Sequence, residues 1–277
     1  MPRNRTQLLF ERGSYVTLMD GAESGRPGKV IKQVNLALLP QEAKELGNAH
    51  SRFTHILEAR GIPVLKSEMA VHDSENNTYV SFVQDKVPEH LLLNRVFEES
   101  QPERVLDLYE KLLHLSIDFH QNHDAVPAVK FDPKPQNFAL LEGKITLIDT
   151  FPPLIKDSQG VTPSTALRIL SEGQRPISYR AVFRPVAKVL DALTAIDRKR
   201  LAKRTLATGF SAPFRTFSSL LYGSIRTRPE MKNQFEEKTQ QVLESRYGRQ
   251  APELIRRVFK RSNRLNRGGA LKRVLRQ

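Results

Sequence analysis

Cysteine and tryptophan are both missing from the 277 residues. With no thiol there is no disulfide framework and no thiolate chemistry, a composition that fits a reducing compartment. Long apolar runs are missing as well. None approaches the ~18 to 20 residues that span a bilayer, and the opening MPRNRTQLLF lacks the apolar core of a signal peptide, so a cytoplasmic protein is expected. No internal repeat or long low-complexity stretch interrupts the chain.

Acidic residues are scarce in one half only. Residues 1–150 contain 17 Lys+Arg against 21 Asp+Glu, a balance of −4, and residues 151–277 contain 27 against 9, a balance of +18. The net charge of +14 therefore belongs to the C-terminal half. KRLAKR at 199–204 is basic, and residues 256–277 hold nine Lys+Arg and no acid. Such a field attracts anions: nucleic acid, an acidic membrane surface, or a phosphorylated partner. Leu271 to Arg276 could lie as an amphipathic segment on an anionic surface or stand as a solvated helix end. Zinc-finger spacing, an aromatic-rich RNA-binding signature and an obvious helix-turn-helix are all missing.

What is present centres on Lys130 to Pro153, KFDPKPQNFALLEGKITLIDTFPP. Phe138 to Leu141 and Lys144 to Ile148 are short apolar-rich runs separated by Glu142-Gly143, the pattern of a two-residue hairpin turn. If Leu141 pairs with Lys144, Asn137 falls opposite Ile148. The hairpin then returns Asp149 to the end of the sheet where Asn137 and Asp132 sit. An amide oxygen from Asn137 and a carboxylate from Asp149 suit a hard cation such as Mg²⁺. Asp132, one loop away, is placed to accept a proton from a hydroxyl, and Lys134 to neutralise charge on a transferring phosphoryl group.

DPKPQN followed by a hairpin and IDTF resembles the catalytic loop and metal-binding segment of the protein-kinase-like superfamily, D-x-K-P-x-N and then D-F-G. The resemblance implies an α+β fold of two lobes. A small β-rich N-lobe with one helix would span residues 1–88, and a larger, mainly helical C-lobe with the catalytic loop and basic region would span 89–277. It implies an ATP- and Mg²⁺-dependent phosphotransferase with Asp132 as base, Lys134 as phosphate-stabilising residue, and Asn137 and Asp149 as metal ligands. KVIK at Lys29 to Lys32 resembles the V-A-I-K strand, so Lys32 is expected to meet the α- and β-phosphates. Glu45, or Glu42, on the next helix would orient it. Gly13 is the only glycine near the expected phosphate loop. No A-P-E close follows Asp149, which favours a small acceptor, as in kinases of the aminoglycoside phosphotransferase type, over a peptide.

Around that segment the chain reads as follows. Tyr15 to Met19 and Val30 to Val34 are strands joined through GAESGRPG. Pro40 to Arg60 is a helix with an apolar stripe of Leu46, Ala49, Phe53, Ile56 and Leu57, stopped at Gly61. GIPVL, Gly61 to Leu65, resembles a strand entry, and Thr78 to Val83 is a strand leading to a hinge at Gln84 to Pro88. Ser100 to His123 is a helix opened by a Ser100/Glu103 capping box, with Val105, Leu108, Leu112, Leu115 and Phe119 on one face. His120 and His123 have no third ligand at motif spacing and read as helix-end imidazoles. Lys156 to Ser164 reads as a loop, and helices follow from Arg180 onward.

Two other classes compete with catalysis. Lys130 stands where the His of H-R-D would be, the glycine loop is eroded, and Thr150-Phe151 replaces Phe-Gly, all of which suit a pseudokinase binding module. The +18 half suits a nucleic-acid- or membrane-surface-binding protein.

Overall fold

The structure, a computed structural model, describes residues 16–34, 38–74, 77–121, 127–130, 132–151, 153–157, 160–162 and 213–274. It is an α+β protein. Strands β1 (Val16–Asp20), β2 (Lys29–Val34), β3 (Ser67–Ser74) and β4 (Asn77–Asp85) form one antiparallel sheet in the order β1-β2-β4-β3. Leu18 lies opposite Lys32, Lys32 opposite Phe82, and Phe82 opposite Met69. Because side chains alternate along a strand, this row and its i±2 neighbours Val30 and Gln84 share one face.

Helix α1 (Pro40–Ala59) crosses that face between β2 and β3. Proline tolerates the first turn because its missing N–H had no partner there. Glu42 accepts from the Leu39 N–H at 2.8 Å, closing the helix start. Ala43, Leu46, Ala49, His50, Phe53 and Leu57 are buried, the 3.6-residue stripe expected of a helix on a core. Gly61 ends it at φ +77°. The chain then pairs with the second part of the molecule: the Leu147 N–H donates to Pro63 O and the Leu65 N–H to Leu147 O, both at 2.8 Å.

Beyond Pro88 the described chain is mainly helical: α2 (Leu93–Glu99), α3 (Pro102–Gln121), α4 (Pro213–Thr227), α5 (Lys232–Tyr247) and α6 (Ala251–Val274). Their buried faces share a core with the hairpin, including Leu112, Leu113, Phe138, Phe217, Leu220, Phe235 and Leu243. Each such side chain contributes about 1.5–3 kcal/mol of burial. The Tyr109 and Phe235 rings lie 4.8 Å apart, and the Tyr109 hydroxyl and Thr239 Oγ1 lie 2.6 Å apart.

Two local readings change, and one strand had no reading in the sequence. Ser100 closes α2 instead of opening α3, its N–H bonding to Val96 O, and the Val105 N–H bonds back to Gln101 O. Ser100 serves as the C-cap of α2 and Pro102 is the first residue of α3, so Gln101 takes the cap position. Lys156 to Ser164 is not all loop, since β8 (Ile155–Asp157) pairs with β9 (Gly160–Thr162) and with β5 (Ala128–Val129). The polar sequence SEMAVHDS forms the edge strand β3, a position that needs pairing on one side only. Gly13, His123, KRLAKR and residues 180–212 of the helical region expected from Arg180 lie outside the described residues.

Candidate active site

The hairpin forms in the expected register. β6 (Phe138–Leu141) and β7 (Lys144–Leu147) pair with Leu141 opposite Lys144. Glu142 at φ 50° and Gly143 at φ 76° make the turn; left-handed geometry at both positions matches the strand twist, and glycine carries the second without a Cβ penalty. One step beyond the ladder, the Ile148 N–H donates to Asn137 O at 2.9 Å. That bond brings Asp149 beside Asn137.

Pro135–Asn137 is a single 3₁₀ turn, with the Asn137 N–H on Lys134 O at 2.9 Å. The Asn137 side-chain amide donates from Nδ2 to the Asp132 carbonyl at 3.0 Å. A carbonyl only accepts, so the amide nitrogen must face it and Oδ1 is turned the other way. The Asp132 carboxylate receives Lys134 Nζ on Oδ2 and the Ser219 hydroxyl on Oδ1, both at 2.7 Å. Ser219 comes from α4, far along the chain. One turn further along that helix, a Cβ on Gly223 would stand 3.0 Å from Pro135 Cδ and 3.1 Å from Lys134 Cγ. Glycine there lets the helix lie directly on the loop.

Lys32 is buried beneath the sheet, and its Nζ donates to Ile148 O at 2.7 Å and lies 3.4 Å from Asp149 Oδ1. Burial lowers its pKa, and the charge and hydrogen bond of Asp149 offset this in part. Lys130 has the same character: burial lowers its pKa, while Asp132 and Asp149 favour its charged form and Lys134 opposes it. Three ammonium groups therefore share the field of two carboxylates.

As ligands for Mg²⁺, the Asn137 Oδ1 and the half-exposed Asp149 carboxylate fit the chemistry of a hard cation that takes its other oxygens from water and phosphate. Among the described residues no three His, Cys, Asp or Glu side chains gather into an all-protein metal cage.

The structure unites Lys32, Asp132, Lys134, Asn137 and Asp149. It does not bring Glu45 to Lys32: Glu45 is exposed and accepts from Gln41 Nε2 at 3.3 Å. Glu42 is engaged at the helix start. The polar residue that α1 turns inward is His50, whose Nε2 lies 2.9 Å from Thr150 Oγ1 and whose ring centroid is 4.4 Å from that of Phe82. Burial and, next, the charge of Lys32 push the His50 pKa down to about 4. A signal for it was available, since His50 falls one residue after Ala49 in the apolar stripe. Leu18, half-exposed, and Val30 share the Lys32 face of the sheet, a placement that register alone reveals.

The fold and site define an α+β protein in which a lysine-bearing antiparallel sheet faces an Asp-Asn-Asp constellation. The chain belongs to DUF6206, a family of unknown function whose family model matches residues 4–276. No curated protein matches it. No helix among the described residues is long and apolar enough to cross a membrane.

Proposed function

We propose that this protein is an ATP- and Mg²⁺-dependent phosphotransferase with a two-lobed, protein-kinase-like fold, its lobes meeting near Pro88. The observation that carries the reading is the pair of bonds made by Asn137, side chain to Asp132 O and main chain to Ile148, which bind loop and hairpin into one unit under Lys32.

In the proposed reaction an acceptor hydroxyl approaches Asp132 and gives up its proton to the carboxylate. Its oxygen forms a bond to the γ-phosphorus, the bond from that phosphorus to the β,γ-bridging oxygen breaks, and ADP leaves with the electron pair. Lys134 balances charge on the phosphoryl group in transit. Lys32, held on Ile148 O beside Asp149, meets the α- and β-phosphates. Mg²⁺, held by Asn137 and Asp149, would neutralise the phosphate oxygens. Leu18 and Val30 supply an apolar surface for the base, next to main-chain groups of Gln84 to Pro88; of these, the Lys86 N–H is bonded to Gly28 O at 2.9 Å.

A second reading, a nucleotide-binding module without turnover, draws on one observation: both Asp132 oxygens accept bonds from the chain itself. Each oxygen keeps a further lone pair, which leaves room for an acceptor proton and favours the first reading. Calorimetric titration of Mg²⁺·ATP, followed by an assay of ADP release, separates the two. Binding with turnover supports catalysis, binding alone the module, and no binding rejects both.

A further inference from the structure

A serine or threonine hydroxyl inside a helix commonly turns back on its own helix, and this chain shows the habit repeatedly. Thr54, Ser116, Ser224, Thr227 and Thr239 each donate to the carbonyl four residues back, at 2.7–3.2 Å. Ser218 does the same toward Phe214 O and also reaches Val258 O of α6 at 3.1 Å. Its neighbour Ser219 departs from the habit. A hydroxyl has one proton to give, and that of Ser219 leaves the helix for Asp132 Oδ1 at 2.7 Å.

The close approach of α4 makes this reach possible. Gly223 stands four residues after Ser219, on the same helix face, and a Cβ on it would lie 3.0 Å from Pro135 Cδ and 3.1 Å from Lys134 Cγ. A side chain as short as serine therefore spans helix and loop. Lys134 Nζ holds the other carboxylate oxygen, Oδ2, at 2.7 Å. The two holders differ in stiffness. Lys134 reaches from the same loop as Asp132 on a flexible four-carbon stem, whereas Ser219 has a short side chain on a helix packed against α6. Holding both oxygens sets the rotation of the carboxylate, and with it the direction of the lone pairs that remain.

We propose that Ser219 is a positioning residue for Asp132, holding the carboxylate in the rotation from which its free lone pairs meet the acceptor hydroxyl. The inference rests on the proposed function above and assigns Ser219 no contact with ATP or Mg²⁺. Loss of the hold leaves nucleotide binding intact and lowers turnover, because a base serves only while it is aligned with the proton it takes.

The test compares Ser219→Ala, Ser219→Thr and Ser218→Ala with the wild-type full chain by Mg²⁺·ATP calorimetry, by ADP release with water as acceptor, and by thermal unfolding. Ser219→Ala is expected to lower kcat for ADP release about tenfold, with the KM for ATP and the Mg²⁺·ATP affinity within twofold of wild type. Ser219→Thr keeps the hydroxyl and restores kcat to within threefold. Ser218→Ala removes a bond between α4 and α6, so it lowers the unfolding temperature while kcat stays within twofold.

Wild-type kcat in Ser219→Ala overturns the inference, and so does a threonine variant as slow as the alanine one. An equal fall of kcat in the two alanine variants also overturns it, since that marks lost packing in place of lost alignment. Each of these outcomes, with Mg²⁺·ATP bound and ADP released by the wild type, removes the positioning role alone. A wild type that fails to bind Mg²⁺·ATP or to release ADP removes the phosphotransferase reading and the role of Ser219 with it.

Discussion

Lys32 donates its ammonium to the carbonyl of Ile148 at 2.7 Å, while the Asp149 carboxylate stays 3.4 Å away. The lysine is held by the main chain, and Asp149 keeps capacity for another cation. On the proposed function, Asp149→Asn abolishes the Mg²⁺ dependence of ATP binding, and Lys32→Met weakens Mg²⁺·ATP tenfold or more. Calorimetry reads both; an unchanged Mg²⁺ effect in Asp149→Asn would remove the metal assignment.

Asp132 can be tested without knowing the acceptor, because water serves as a slow one. Asp132→Asn keeps the loop's shape but lowers the basicity of the group, and general-base catalysis contributes about 10²–10⁴-fold. ADP release should fall by that order with ATP affinity within threefold. Equal turnover would sink the assignment of Asp132 as base.

Gly223 sets the approach of α4 to the Asp132–Asn137 loop. Even a Cβ would lie 3.0 Å from Pro135 Cδ, and the branched side chain of Gly223→Val must push the loop or the helix aside. ADP release is expected to drop at least tenfold, with a smaller change in the ATP KM. A variant with both constants at wild-type values would show that the close approach is incidental.

His50 links the site to pH. It stays neutral in the folded protein, with a pKa near 4 set by burial and the Lys32 charge, whereas an unfolded histidine protonates near 6.5. Between these values the unfolded chain binds the extra proton, so stability is intact above about pH 6.5 and declines as the pH falls toward 4. The whole effect is on the order of 3 kcal/mol at 1.36 kcal/mol per unit. His50→Gln should flatten this part of the curve, read as urea midpoints at pH 7 and 4.5; an equally steep loss in the variant would exonerate His50.

In the helical core the Thr239 hydroxyl donates to Phe235 O at 2.7 Å, so the fully buried Tyr109 hydroxyl must be the donor to Thr239. Burial also holds the Tyr109 pKa above its ordinary value. Tyr109→Phe removes one bond and strands nothing, about 1 kcal/mol, while Thr239→Val strands the tyrosine hydroxyl and costs about 1–3 kcal/mol. Thermal unfolding should rank the valine variant as the less stable; the reverse order would contradict the donor assignment.

What the sequence determined by itself is local. Glu142-Gly143 decides the hairpin and its register because the turn demands two left-handed residues. Pro40 and Gly61 bracket α1, and the Val105 to Phe119 stripe is legible because i, i+3 and i+4 contacts lie within one helix. The Asp132, Lys134, Asn137 and Asp149 set was visible because a single loop and hairpin hold it.

The tertiary structure decided what depends on how elements rotate and dock. Glu45 and His50 sit on the same helix, five residues apart, and only the packing of α1 on the sheet turns His50 toward Lys32. Ser219 meets Asp132 across 87 positions, and the Ser218 hydroxyl meets Val258 O through the contact of two helices. No periodicity encodes such pairs, because their energy comes from surfaces that do not exist until the core has formed.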